Sequence, residues 1–338
     1  MFKMTHQSDL DNLKFSYYNI HGYILAVSGQ AIPIFDRELK EFKIKKKTPD
    51  LYIIETQEKN LPIQLRGSSK GIFLPFDNSK IARYESGADP SWLFGLIQNF
   101  IRWKDKTYLH CGAVSKDNKA VLFPASEDVG KTRTTLYLTS HGYDYLNDEW
   151  LILGQDGIAY PYLKSIHLFD YNLKDKNLAK KVLGNKRIFY NLIYSVLRLI
   201  PKLISHRYVK FACDRIKPQF SVRIDQIYPK IKFSKPSKIE KIFWLIKDKN
   251  AKKITIEDAI PEQIAEKMSY INVLEKYMFY RNYYDFAYHN QSNPFWENYI
   301  QENKNILTKA FKKAKIVKKI ILPHYFNPAE IKKIIESY

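Results

Sequence analysis

Apolar and polar positions along the chain follow two rhythms. Over residues 14–85 short apolar runs at 22–27, 51–54 and 71–74 are broken by turn residues, the last run being closed by Pro75. This spacing predicts short strands. After Asp89-Pro90-Ser91 the period lengthens, with Trp92, Leu93, Leu96, Ile97, Phe100 and Ile101 three and four apart. That is the signature of a helix opened by proline. The strand rhythm returns at 108–114 and 120–124 around a polar turn at 115–119. A polar loop, 125–130, leads into a helix predicted from Lys131 to about Ser140 and stopped by His141-Gly142. Short strands are expected at 144–146 and 150–153, and a buried strand at 242–246. Thr255-Ile256-Glu257-Asp258 reads as the start of a helical region running past Tyr288, on which Tyr277, Tyr280, Tyr283, Tyr284 and Tyr288 are packing residues. A last strand at 316–322 and a last helix at 328–337 complete the pattern.

Composition narrows the class. An apolar share of 45% over 338 residues supports a large core and excludes wholesale disorder. The charge is unbalanced: 55 Lys+Arg against 35 Asp+Glu give +20. Residues 164–254 hold most of the excess, with 23 Lys+Arg and 6 Asp+Glu. Such a surplus favours an anionic partner. Cys111 and Cys213 are too few for a disulfide scaffold and fit no metal spacing, and no secretion signal or long apolar span is seen, so a cytoplasmic protein is expected. Within the basic region Arg198, Lys202, His206, Arg207 and Lys210 recur at helical spacing beside Leu197, Leu199 and Ile200. The segment 184–215 thus reads as a lid or docking helix for an acidic partner, as a helix lying on an anionic membrane surface, or as a solvated face. No nucleic-acid-reading signature accompanies it.

The chemistry concentrates between Leu109 and Leu153. Ala125-Ser126-Glu127-Asp128-Val129-Gly130-Lys131-Thr132 matches the last three positions of the eight-residue phosphate-loop pattern, with alanine in place of the first glycine. Those last positions matter most. Successive amides curl around phosphate oxygens, and the helix that follows, with Arg133 in its first turn, points its positive end at them. Lys131 is placed to reach terminal phosphates, and Thr132 to hold Mg²⁺. Asp148, in Asn147-Asp148-Glu149, is a candidate for a metal or for a nucleophile's proton. His110 reads either as a strand histidine bonded to backbone or as a base.

Leu109-His110-Cys111-Gly112-Ala113-Val114, the loop and Gly142-Tyr143-Asp144-Tyr145-Leu146-Asn147-Asp148-Glu149 together resemble the HPr kinase/phosphorylase superfamily, which shares its nucleotide-binding core with phosphoenolpyruvate carboxykinases. Tyr160-Pro161-Tyr162-Leu163-Lys164 resembles the proline-containing stretch that follows in those kinases, and 242–246 one of their later strands. The specific match covers about 105–165, with looser agreement to about 290. The resemblance implies an α/β (α+β) fold with a mixed sheet: a mainly β portion over 1–104, then a phosphate-loop core over 105–338 with a basic insertion and a helical C-terminal portion. It implies an ATP-dependent kinase using Mg²⁺ and transferring the γ-phosphoryl group to a hydroxyl of a peptide, protein or small molecule. Residues 125–133 would hold nucleotide, Thr132, Asp148 and Glu149 the metal, and Asp148, His110 and Lys131 would act in catalysis. Asp128 stands where relatives usually have a second glycine, and Glu127 and Asp128 would repel phosphate if they faced inward. The alternative is a weak or inactive nucleotide-binding module whose basic segment docks an acidic partner or a membrane surface. Assembly into oligomers is compatible with either.

Overall fold

The computed structural model describes Leu10, Leu173 and residues 12–65, 70–74, 80–89, 92–168, 176–184, 220–290 and 292–338. The short runs of the N-terminal portion become β1 (Phe15–Ile20), β2 (Tyr23–Ser28), β3 (Lys43–Ile44), β4 (Leu51–Thr56), β5 (Ile63–Gln64), β6 (Gly71–Phe73) and β7 (Ile81–Glu85). They pair in the order β3-β1-β2-β4-β7-β6-β5, with β2-β4-β7 parallel. Every residue of β2 is buried, which explains its continuous apolar run: a central parallel strand is covered on both faces. A helix absent from the sequence reading, Ile32–Glu38, follows β2 with proline in its first turn. Its Phe35 stacks on Phe94, 4.7 Å between centroids, and so docks it against the expected helix Trp92–Phe100.

The second sheet is built from β8 (Lys106–Lys116), β9 (Lys119–Pro124), β10 (Asp144–Asn147), β11 (Trp150–Gly154), β12 (Ile158–Tyr160), β15 (Ser237–Lys247), β16 (Thr255–Asp258) and β17 (Ile316–Leu322), while β13 (Ile166–Leu168) and β14 (Phe220–Val222) pair separately. β9 and β17 flank β15 in parallel. β8, β11, β12, β15 and β9 also pair in succession back to β8, closing a circuit of strands. The architecture is α+β with mixed sheets.

Residues 255–258 correct the sequence reading: they form β16, antiparallel to β17, and the helix begins only at Pro261. Cross-strand charge decides it. Lys318 pairs with Asp258 at 2.6 Å and Lys319 pairs with Glu257. The basic segment 184–215 lies, beyond Gly184, outside the described residues. No helix among the described residues is long and apolar enough to cross a membrane.

The two sheets share packing. Tyr108, Trp150 and Tyr162 belong to the same apolar cluster as the N-terminal sheet, together with Tyr280, Tyr283 and Trp296 of the C-terminal helices. Buried Arg102 pins this junction. Its guanidinium donates to the carbonyls of Asn99 (3.1 Å) and Phe295 (2.6 Å), pairs with Glu302, and lies 4.2 Å over the Phe295 ring. Each of its three nitrogens therefore donates to an acceptor, which offsets the cost of burying such a group.

Candidate functional site

β8 changes neighbours along its length. β9 pairs with residues 111–116 and β11 with 106–110. Beyond the end of β9, side chains replace a missing strand. Asn272 accepts the His110 amide (2.9 Å) and donates to the Tyr108 carbonyl (2.7 Å), and Asn303 in turn accepts from Asn272 (3.0 Å). Both amides are fully buried, and this network satisfies backbone groups that would otherwise be stranded. It also fixes helix Pro261–Leu274 beside His110.

Within β10 the ladder with β8 is irregular, with a register shift between Tyr145 and Asn147, just before Asp148. Asn147 donates its side-chain amide to the Cys111 carbonyl (2.7 Å), and the Cys111 amide donates to the Glu149 carbonyl (3.0 Å). Such irregularities re-aim side chains. Here it is Asp148 that turns toward the helix Lys131–Thr139, close enough to Thr132 and Lys131 for both to lower its pKa. Gly112 permits the close approach of that helix, since a Cβ there would stand 2.5 Å from Thr135 Oγ1.

The loop 125–130 connects β9 to this helix. Gly130 is its N-cap residue at φ 111°, and no side chain caps the helix start. Ala125 is buried and is not among the positive-φ residues, so it needs no glycine there. Asp128 does adopt left-handed φ, 57°, a conformation glycine takes freely and aspartate tolerates. Ser126, Glu127 and Asp128 are exposed, and Val129 is buried. Lys247 donates to the Asp128 carbonyl at 3.0 Å, tying the loop tip to the end of β15.

Lys131 is 7% exposed. Its ammonium donates to the carbonyls of Ala125 (3.2 Å) and Ser126 (2.5 Å), so it is held beneath the loop itself. Burial lowers its pKa, and Asp148, Glu275 and Glu149 oppose that shift. Asp148 is buried, and Oδ1 has no hydrogen-bond partner. Burial pushes its pKa up to about 7, against the lowering pull of Thr132 and Lys131. His110 is held neutral, its pKa far below the usual value, by burial and by Lys131. Of the two candidate proton acceptors, Asp148 is therefore the one poised near neutrality.

Glu275 escapes the sequence reading. It sits at the end of helix Pro261–Leu274, its Oε1 3.2 Å from His110 Nδ1 but off hydrogen-bond alignment. Burial, and then the neighbouring Glu127 carboxyl, push its pKa up to about 8. Only a charged Glu275-Lys276 pair between two helical runs marks this place in the sequence.

The structure thus brings Lys131, Thr132, Asp148 and His110 together and adds Glu275. Glu149 leans toward His167, 3.9 Å away, and lines a small cleft with Asp148, Trp150, Tyr162 and Lys164. Arg133 points outward, over the ring of Phe326 at 5.6 Å. No protein-family model matches the chain, and no curated protein is detectably similar to it. No group of three or more His, Cys, Asp or Glu side chains placed to hold a metal occurs among the described residues.

Proposed function

We propose that the chain is an ATP-dependent kinase of the HPr kinase-like, phosphate-loop type, acting on a hydroxyl of a peptide, protein or small molecule. The observation that carries this reading is the meeting of Lys131, Thr132 and buried Asp148 at a helix start entered through left-handed Gly130. Loop amides and the helix end attract phosphate oxygens. Lys131 exchanges the carbonyls of Ala125 and Ser126 for the more strongly charged β- and γ-phosphates. Mg²⁺ fits the donors present, since Thr132, Asp148 and Glu149 offer only hard oxygens and Asp148 Oδ1 lacks a partner. Mg²⁺ takes one or two protein carboxylates beside phosphate. When bound, it supplies charge neutralisation on the phosphates. Asp148 accepts the proton of the acceptor hydroxyl as that oxygen bonds to the γ-phosphorus and the bond to the bridging oxygen breaks.

Glu127 favours a second reading, a nucleotide-binding module with little turnover. Its carboxyl faces Glu275 beside Lys131, where phosphate would meet added negative charge. In that case the basic segment serves to dock an acidic partner or a membrane surface.

The test is a thermal shift with MgATP and MgADP, followed by ATP consumption with candidate acceptors. Binding at a hundredfold excess over Kd stabilises by ~2.7 kcal/mol. Lys131→Ala is expected to abolish the shift, and Asp148→Asn to keep it while losing turnover. An unchanged shift in Lys131→Ala removes the phosphate site, and normal turnover in Asp148→Asn removes that residue from the chemistry.

A further inference from the structure

β9, β15 and β17 are parallel, so the segments after each of them emerge on one edge of the sheet. After β9 comes the loop 125–130, and β15 ends at Lys247, whose ammonium reaches the Asp128 carbonyl. After β17 comes Pro323-His324-Tyr325-Phe326-Asn327. Ligands of open mixed sheets gather outside such carboxyl ends. This last segment carries two aromatic rings: Tyr325 is 77% exposed, and Phe326 is partly buried, packed against the apolar cluster that holds Ala125 and Val129. Asn327 caps the following helix Pro328–Ser337 through the Ala329 amide at 3.0 Å, which anchors the segment.

Phe326 lies directly against the phosphate loop. A Cβ on Gly130 would stand 2.7 Å from two carbons of its ring, so glycine at 130 serves this contact as well as its left-handed φ. On the helix, Arg133 leaves the axis roughly 200° around from Lys131. It lies over the Phe326 ring, and no salt bridge to it is found among the described residues. The buried groups Lys131, Asp148 and His110 mark the side of the loop where terminal phosphates belong in the proposed site. Phe326 and exposed Arg133 lie on the other side of the loop, against Gly130.

We infer that Phe326, whose ring lies under the Arg133 guanidinium, is the stacking platform for the nucleobase. The inference rests on the phosphate site proposed above and extends it from polyphosphate to nucleotide. An aromatic face beside a planar cation binds any base by its π-surface, an interaction removed by truncating the ring.

The experiment measures the affinity of the full chain for MgATP and for magnesium tripolyphosphate by calorimetry. The proteins are wild type, Phe326→Ala and Phe326→Leu, the leucine keeping apolar packing against Gly130. Wild type is expected to bind MgATP roughly tenfold more tightly than tripolyphosphate. Both variants are expected to lose that preference while tripolyphosphate affinity holds. An unchanged preference in both variants overturns the stacking role, and so does an equal loss for both ligands, which is the behaviour of a packing residue. Failure of wild type to bind either ligand overturns the phosphate site and the platform together. Tripolyphosphate binding without any gain from the base overturns the platform alone.

Discussion

Asp148 and Glu275 hold protons far above the range of free carboxylates, at about 7 and about 8, both chiefly through burial. For Glu275 the consequence for stability has a definite sign. Between its ordinary value of 4.5 and about 8 the unfolded chain has released the proton that the folded chain keeps. The folded state therefore loses stability as pH rises through that window. Glutamine mimics the protonated acid, so Glu275→Gln is expected to unfold at a temperature ~2–4 °C above wild type near pH 9, with little difference near pH 5. Melting curves across that range check it, and a difference independent of pH would refute the assignment. Lys131, Thr132 and Asp148 were legible in the sequence because their meaning is local: a strand, a loop, Gly-Lys-Thr and a helix. Glu275 was not, because only the fold carries it to His110 and Glu127. Asp128 takes a left-handed φ, which aspartate tolerates and which only the folded loop reveals.

At the level of elements, the seating of helix Lys131–Thr139 on β8 depends on one missing side chain. Gly112→Ala places a methyl 2.5 Å from Thr135 Oγ1, a contact that one of the two must relieve by moving. Overpacking of this kind is expected to lower stability by ~1–3 kcal/mol. In a Thr135→Ala background the same substitution should cost much less, and urea unfolding of the double-mutant cycle reads the difference. Additive effects would show that the helix is held away from β8. Periodicity revealed β8, β9, β15 and β17, since each carries an apolar run, although that of β17 is broken by Lys318 and Lys319. It misassigned 255–258, where the exposed Glu257 and Asp258 carry a helix-like polarity and the deciding partners are Lys318 and Lys319 of a distant strand. Helix Ile32–Glu38 was hidden because its seven residues are too few to establish a period.

Across the whole molecule, the N-terminal sheet and the C-terminal helices meet in one apolar cluster, with Arg102 fastened at their junction. The pairing of β8 back to itself through β11, β12, β15 and β9 could not be foreseen, because closure depends on register rather than on composition. Its central member, β15, buries Ile242, Phe243 and Leu245 almost completely and is flanked on one side by β17. That arrangement sets an order of assembly. During synthesis the edge of β15 stays raw until 316–322 have left the ribosome, and an unpaired apolar edge templates aggregation. A chain ending at residue 315 is expected to pellet or to elute as large assemblies in size-exclusion chromatography, whereas a well-behaved monomer would show that the nascent sheet closes without its last strand.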